Sequence, residues 1–261
     1  SFMKTKNIND LEKIAKSVRK RIFQFKTEAG KGHLASCLSL VDVLVSLYYD
    51  ESTIFNHEED VIIYGKGHGS PTVYPILADF GYYSEEELDK YCTPEGILRL
   101  HADASIPGCH FVGGSLGNGI GYAAGLTFGS DKNINVVLGD AELYEGSIWE
   151  TLIFASHYNL NNLRIIVDRN GMGILGKTEE LLRLEPLTEK FESFGYEVIS
   201  VDGHDFQQLR KVFSEAPKAP QVIIANTVKG KGVSYMEDKW RYHTIIPGEK
   251  DLIDLGLSEL T

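Results

Sequence analysis

Apolar residues along this chain follow two alternating rhythms, and the alternation predicts the architecture. Val61–Tyr64, Ile134–Leu138, Leu163–Val167 and Val222–Ala225 are short, continuous and rich in β-branched residues. Such runs read as strands buried on both faces of a parallel sheet, with Glu197–Val201 as a further strand. Between them apolar positions recur at helical spacing. The pattern predicts a helix from about Asn9 to Glu28, with Asn9 or Asp10 as N-cap and Gly30 past its end. It predicts others over Leu38 to Tyr49, Pro71 to Phe80 and Phe206 to Phe213, and a short one opened by a Ser84–Glu87 capping box. The glycine-rich stretch Gly113 to Gly125 leads into another. Glu145 to Tyr158 offers Ile148, Leu152, Phe154 and Ala155 as an inner face. Strands alternating with helices imply a three-layer α/β/α fold around a doubly wound, mainly parallel sheet. Gly230 to His243 shows little regular pattern, and Leu252–Thr261 reads as a loose acidic ending and a natural terminus.

Composition sharpens this in a few places. The 261 residues, 43% of them hydrophobic, suit one domain over residues 3–261, with Ser1-Phe2 ahead of Met3 as a scar of tag removal. A net charge of −11 argues against nucleic-acid and anionic-membrane partners. No segment approaches the roughly 18 apolar residues of a membrane span. Cys37, Cys92 and Cys109 form no CxxC pair and read as reduced thiols of a cytoplasmic protein.

The chemistry concentrates at strand ends. Asp140 follows the second apolar run and Asn170 follows the third, so a carboxylate and a carboxamide stand at neighbouring strand tips. Ligands of open α/β sheets bind at those tips. Two hard oxygen donors suit Mg²⁺ or Ca²⁺, and Mg²⁺ brings phosphate with it. His33, His68, His101 and His243 each lie in a glycine-rich or irregular segment and suggest a shared cleft, whereas His110, His157 and His204 have no such setting. Imidazoles suit a cleft that orients hydroxyls and moves protons. Gly117-Asn118-Gly119-Ile120-Gly121 partly imitates a dinucleotide fingerprint, which keeps a nicotinamide-dependent oxidoreductase as a competitor. Only the weak strand candidate His110–Val112 precedes those glycines, and that reading gives Asn170 nothing to do. No Ser-His-Asp spacing, HExxH or P-loop supports a hydrolase or kinase.

The segment GDAELYEGSIWETLIFASHYNLNNLRIIVDRNGMG (139–173) resembles the thiamine-diphosphate motif of the transketolase family. GKGHLAS (30–36), GKGHGSPTVYPILADFGY (65–82), HADASIPGCHFVGGSLGNGIGYAAGL (101–126) and NTVKGKGVSYME (226–237) look like family blocks in family order. The resemblance implies that Asp140, Asn170 and the Met172 carbonyl bind Mg²⁺, with Ca²⁺ or Mn²⁺ as substitutes. It implies that His68 and the backbone around Ala141 hold the diphosphate with His243 nearby, and that Gly114, Leu116 and Ile174 contact the cofactor. His33, His101 and His243 would face donor and acceptor sugars, and Glu145 and Glu150 match acidic positions at a dimer interface between active sites, with Glu145 also counted among the catalytic and cofactor-binding residues. The plainer alternatives are that Glu145 favours its own helix N-terminus and Glu150 is a solvated charge.

Two departures stand out. GHLAS replaces the usual transketolase GHPG. Ala141 replaces the motif's second glycine, which costs little at negative φ and on the order of 1 kcal/mol or more at positive φ. Full-length transketolases continue into a pyrimidine-binding and a C-terminal domain. The resemblance therefore implies the N-terminal subunit of a split enzyme, completed by a second polypeptide carrying those domains in an α₂β₂ heterotetramer. The implied reaction transfers a two-carbon ketol unit from a ketose to an aldose. A deoxyxylulose-phosphate synthase-like or phosphoketolase-like subunit and a catalytically dead paralogue are the alternatives.

Overall fold

Among the described residues five parallel strands form one sheet, and the ends of those strands decide where its chemistry sits. The computed structural model describes residues 4–261, so the expected Ser1-Phe2 remnant lies outside the described residues. The strands are β1 (Val61–Tyr64), β2 (Ile134–Gly139), β3 (Leu163–Arg169), β4 (Glu197–Asp202) and β5 (Gln221–Asn226), ordered β1-β2-β3-β5-β4. Successive side chains point to opposite faces. Ile63, Val136, Leu138, Ile165, Val167 and Val222 therefore pack in one core, with α5 (Asn118–Phe128), α6 (Gly146–His157) and α8 (Leu187–Ser193), which follows the single turn α7 (Thr178–Leu181). Ile62, Val137, Ile166 and Ile223 pack in the other, against α1 (Ile8–Ala29), α2 (Leu34–Leu38), α3 (Val41–Tyr49), α4 (Tyr74–Asp79) and α9 (Phe206–Phe213). The result is the expected α/β/α sandwich.

Several sequence expectations give way to local chemistry. The first helix is capped by Asn7, whose side chain accepts from Asn9 N at 3.0 Å, rather than by Asn9 or Asp10. The helix expected over Leu38 to Tyr49 is interrupted at Ser39-Leu40, where Ser39 Oγ donates to Asp168 Oδ2 at 2.7 Å. Gly67–Val73 is a 3₁₀ turn and the α-helix starts only at Tyr74. There Ser70 and Thr72 bond the carbonyls three residues back, and Pro71 has no N–H to give.

Ser84 caps a single 3₁₀ turn through Glu86 N, but the capping box is not closed. The Glu87 carboxylate is drawn instead to Lys90 Nζ and Ile97 N. His110–Val112 forms no strand. Phe154 is 39% exposed beside Phe128 and Tyr158, leaving Ile148, Leu152 and Ala155 as the inner face of α6. The loose acidic ending is in fact α10 (Lys250–Glu259), packed on α1 with Gly256 against Phe23 and Leu260 buried.

Candidate functional site

A cleft of about 570 Å³ opens at the carboxyl ends of the strands. Of the residues expected from sequence, His33, His68, His101, His243, Gly114, Leu116, Asp140, Ala141, Asn170, Met172 and Ile174 all line it. Glu145 does not. It is the N-cap of α6, exposed, with its stem against Gly117, and Glu150 is exposed further along the same helix. One wall depends on a glycine pair: a Cβ on Gly67 would lie 1.7 Å from the Gly113 carbonyl oxygen, so the turn after β1 and the loop before α5 touch through bare backbone.

Three oxygens at the floor remain open to a cation. Asp140 Oδ2 accepts from Arg169 Nη1 at 3.1 Å and Gly171 N at 2.6 Å, whereas Oδ1 accepts only from Ala141 N at 2.7 Å. Asn170 Oδ1 accepts from Met172 N at 3.0 Å and keeps a second lone pair. The bonds Gly173 N to Gly176 O and Thr178 N to Gly171 O flank Met172, and its own carbonyl takes part in neither. Among the described residues no three His, Cys, Asp or Glu side chains converge as metal ligands. One carboxylate and two amide-type oxygens form a different donor set, and a hard one that fits Mg²⁺. Burial, reinforced by the Asp168 charge, pushes the Asp140 carboxyl above its ordinary value, a strain that a bound cation would relieve.

At the floor lies a buried ion pair that sequence reasoning missed. Lys66 Nζ pairs with Asp168 and also donates to Ser36 O at 2.8 Å. Burial raises Asp168, but Lys66, with Thr227 and Ser39, more than offsets this and holds its carboxyl low. Lys229, at the end of the segment after β5, is also buried and was also missed; burial and the Lys66 charge bring it down to about 7. Both lysines adjoin glycine, Lys66 on both sides in GKGH and Lys229 on one side in VKGKG, which was the available signal. Glu142 is the third omission. Its carboxylate accepts from Gly117 N at 2.9 Å and Gly139 N at 3.0 Å, and burial lifts it to about 7.

The four histidines form one cluster. The His33 ring centroid lies 5.5 Å from His68, 5.7 Å from His101 and 5.2 Å from His243. Burial, then His101 and the surrounding lysines, lowers His33 to about 4; burial and Lys229 lower His243 to about 3. Burial and Lys66 hold His68 well below its usual value, and burial lowers His101 as well. All four are neutral at pH 7, so each ring offers one donor and one acceptor. His243 Nδ1 lies 2.7 Å from Lys229 Nζ, so while Lys229 is protonated His243 carries its hydrogen on Nε2. His33 Nδ1 is buried with no partner among the described residues, the mark of a site that expects a polar ligand. By contrast His204 is structural: it bridges Asp42 at 2.6 Å and Val228 N at 2.8 Å.

Ala141 follows Asp140 within a 3₁₀ turn and is not among the positive-φ residues, so its Cβ carries no backbone strain. The backbone therefore accommodates the departure from the glycine motif.

Residues 11–255 match the family described as transketolase, thiamine diphosphate binding domain. The chain is 37% identical to an apulose-4-phosphate transketolase subunit of Actinobacillus succinogenes, over 97% of this chain and 96% of that one. It is 36% identical to a 6-deoxy-6-sulfo-D-fructose transketolase subunit of a Clostridium species, over 90% and 91%. Human transketolase is 34% identical over 89% of this chain, which spans only 39% of that protein. The crystal structure of Campylobacter jejuni transketolase superposes with a TM-score of 0.88 at 28% identity, covering 97% of this chain and 43% of that one. The strand-end oxygens and histidine cleft thus belong to the thiamine-diphosphate-binding domain of the transketolase family, of which this chain is a member.

Proposed function

We propose that this chain is the diphosphate-anchoring subunit of a Mg²⁺- and thiamine-diphosphate-dependent transketolase, moving a two-carbon ketol unit from a ketose to an aldose. Thiamine diphosphate, when bound, supplies the carbon nucleophile that makes such a transfer feasible. The observation that carries the reading is the pairing of Asp140, Asn170 and the Met172 carbonyl on the floor with four neutral histidines on the walls.

Each residue then has a task. Asp140 Oδ1, Asn170 Oδ1 and the Met172 oxygen would hold Mg²⁺, Lys229 when protonated would offset the diphosphate charge, and His68 would orient it by hydrogen bonding. His33, His101 and His243, uncharged at pH 7, would donate to and accept from sugar hydroxyls and carry protons between them. Exposed Ile174, Leu175, Leu181 and Leu182 leave the cleft open on one side. A second polypeptide, carrying pyrimidine-binding and C-terminal domains, would cover them and complete the site, in an α₂β₂ assembly. Three relatives matched over 90% or more of their length are all named as subunits, which favours a second polypeptide.

The experiment is reconstitution. The purified chain, mixed with such a polypeptide, should show ketol transfer from a ketose phosphate that neither chain shows alone and that chelation of Mg²⁺ stops. Nicotinamide-dependent oxidation of a sugar, without added thiamine diphosphate, would sink the reading.

A further inference from the structure

Arg169 is the last residue of β3, and its guanidinium is nearly buried at 10% exposure. One nitrogen, Nη1, donates to Asp140 Oδ2 at 3.1 Å and Thr178 Oγ1 at 2.7 Å. The other, Nη2, donates to Glu179 Oε1 at 2.9 Å and Glu185 Oε1 at 3.0 Å. The side chain therefore ends on a floor carboxylate in one direction and on the cleft's rim in the other.

At the floor, Arg169 Nη1 and Gly171 N both bond Oδ2 of Asp140, so that Oδ1 accepts from Ala141 N and keeps a lone pair to spare. At the rim, the segment 178–185 is built around the guanidinium. Glu179 also accepts from Leu184 N at 3.2 Å and Glu185 N at 3.3 Å, and Thr178 N donates to Gly171 O at 2.9 Å. Leu184 is the one apolar side chain that this segment buries, at 4% exposure, whereas Leu181 and Leu182 are 44% and 63% exposed. Where buried apolar contacts are few, local order rests on polar links.

Resting on the function proposed above, we infer that Arg169 is a positioning residue that couples the floor carboxylate Asp140 to the 178–185 rim, so that cation binding and rim order strengthen together. Coupling between two such equilibria is reciprocal. A lysine cannot replace the link, because it presents one point charge where the guanidinium presents a fork reaching four acceptors.

The test uses the full chain together with the completing polypeptide, with Mn²⁺ and thiamine diphosphate as probes. Free Mn²⁺ is followed by electron paramagnetic resonance, and amide exchange across 178–185 by mass spectrometry. In wild type, the probes together should slow exchange in that segment. Arg169→Lys should weaken Mn²⁺ binding on the order of tenfold, the usual cost of losing a ligand's supporting partner, and should abolish the protection. Glu179→Gln combined with Glu185→Gln, which leaves Asp140 untouched and sits at the solvent end of the link, should weaken Mn²⁺ binding severalfold. Wild-type affinity in both variants, or exchange indifferent to the probes in wild type, overturns the coupling alone. Failure of wild type to bind the probes at all overturns the coupling and the proposed function together.

Discussion

Lys66 and Asp168 form a buried ion pair at the floor of the cleft, which Lys66 lines, with side chains 1% and 0% exposed. Breaking a buried pair by removing one partner strands the other charge and costs about 3–5 kcal/mol. Lys66→Met should therefore lower stability by about that much in urea denaturation. Adding Asp168→Asn should restore part of the loss, because the remaining side chain is uncharged. A Lys66→Met variant within about 1 kcal/mol of wild type would mean that Ser39 and Thr227 suffice to hold the carboxylate.

The histidine cluster makes stability depend on pH. His33 and His243, with folded values of about 4 and about 3, lie below the ordinary 6.5. Below pH 6.5 the unfolded chain thus binds protons that the folded chain refuses, so stability falls as pH drops from 6.5 toward 4. The slope is at most about 1.4 kcal/mol per pH unit for each histidine, reduced here because both are partly solvated. Glu142, lifted to about 7, takes up its proton first in the folded chain and offsets part of this fall, while Asp168, held low, loses its contribution only at still lower pH. Urea midpoints at pH 7.5, 6.0 and 5.0 should decline, and His33→Asn with His243→Asn should flatten the decline. A flat wild-type profile would show that these rings protonate in place.

Ala141→Gly is the test of the altered motif. Because Ala141 sits in a right-handed turn, glycine should destabilise by about 0.5–1 kcal/mol. It should leave Mg²⁺–thiamine diphosphate affinity within about twofold, roughly 0.4 kcal/mol. A tenfold gain on restoring glycine would mean that the alanine Cβ hinders the diphosphate.

Much of this site was legible because strands buried on both faces spell themselves as continuous apolar runs. Those runs locate Asp140 and Asn170 at adjacent strand tips from the residues alone. The lysines were not legible for the opposite reason. Lys66 and Lys229 belong to a residue type that is almost always solvated, and only their glycine neighbours mark them as buried. Helix α10 was hidden by Asp251 and Asp254, which mask the i, i+4 spacing of Ile253 and Leu257 against the core. Glu145 came from the family pattern rather than from its own surroundings, and the fold places it outside the cleft. Nothing in the sequence indicated that Arg169 would reach from Asp140 to Glu185, since that link joins segments whose spacing follows no regular period.

The most direct test is a calorimetric titration of thiamine diphosphate into the chain with Mg²⁺, in the presence of the completing polypeptide. Wild type should bind, whereas Asp140→Ala and Asn170→Ala should lose at least about 2 kcal/mol of binding, roughly thirtyfold, with their folds intact by circular dichroism. Undiminished, Mg²⁺-dependent binding in either variant would contradict the assignment of the strand-end oxygens as the cofactor's anchor.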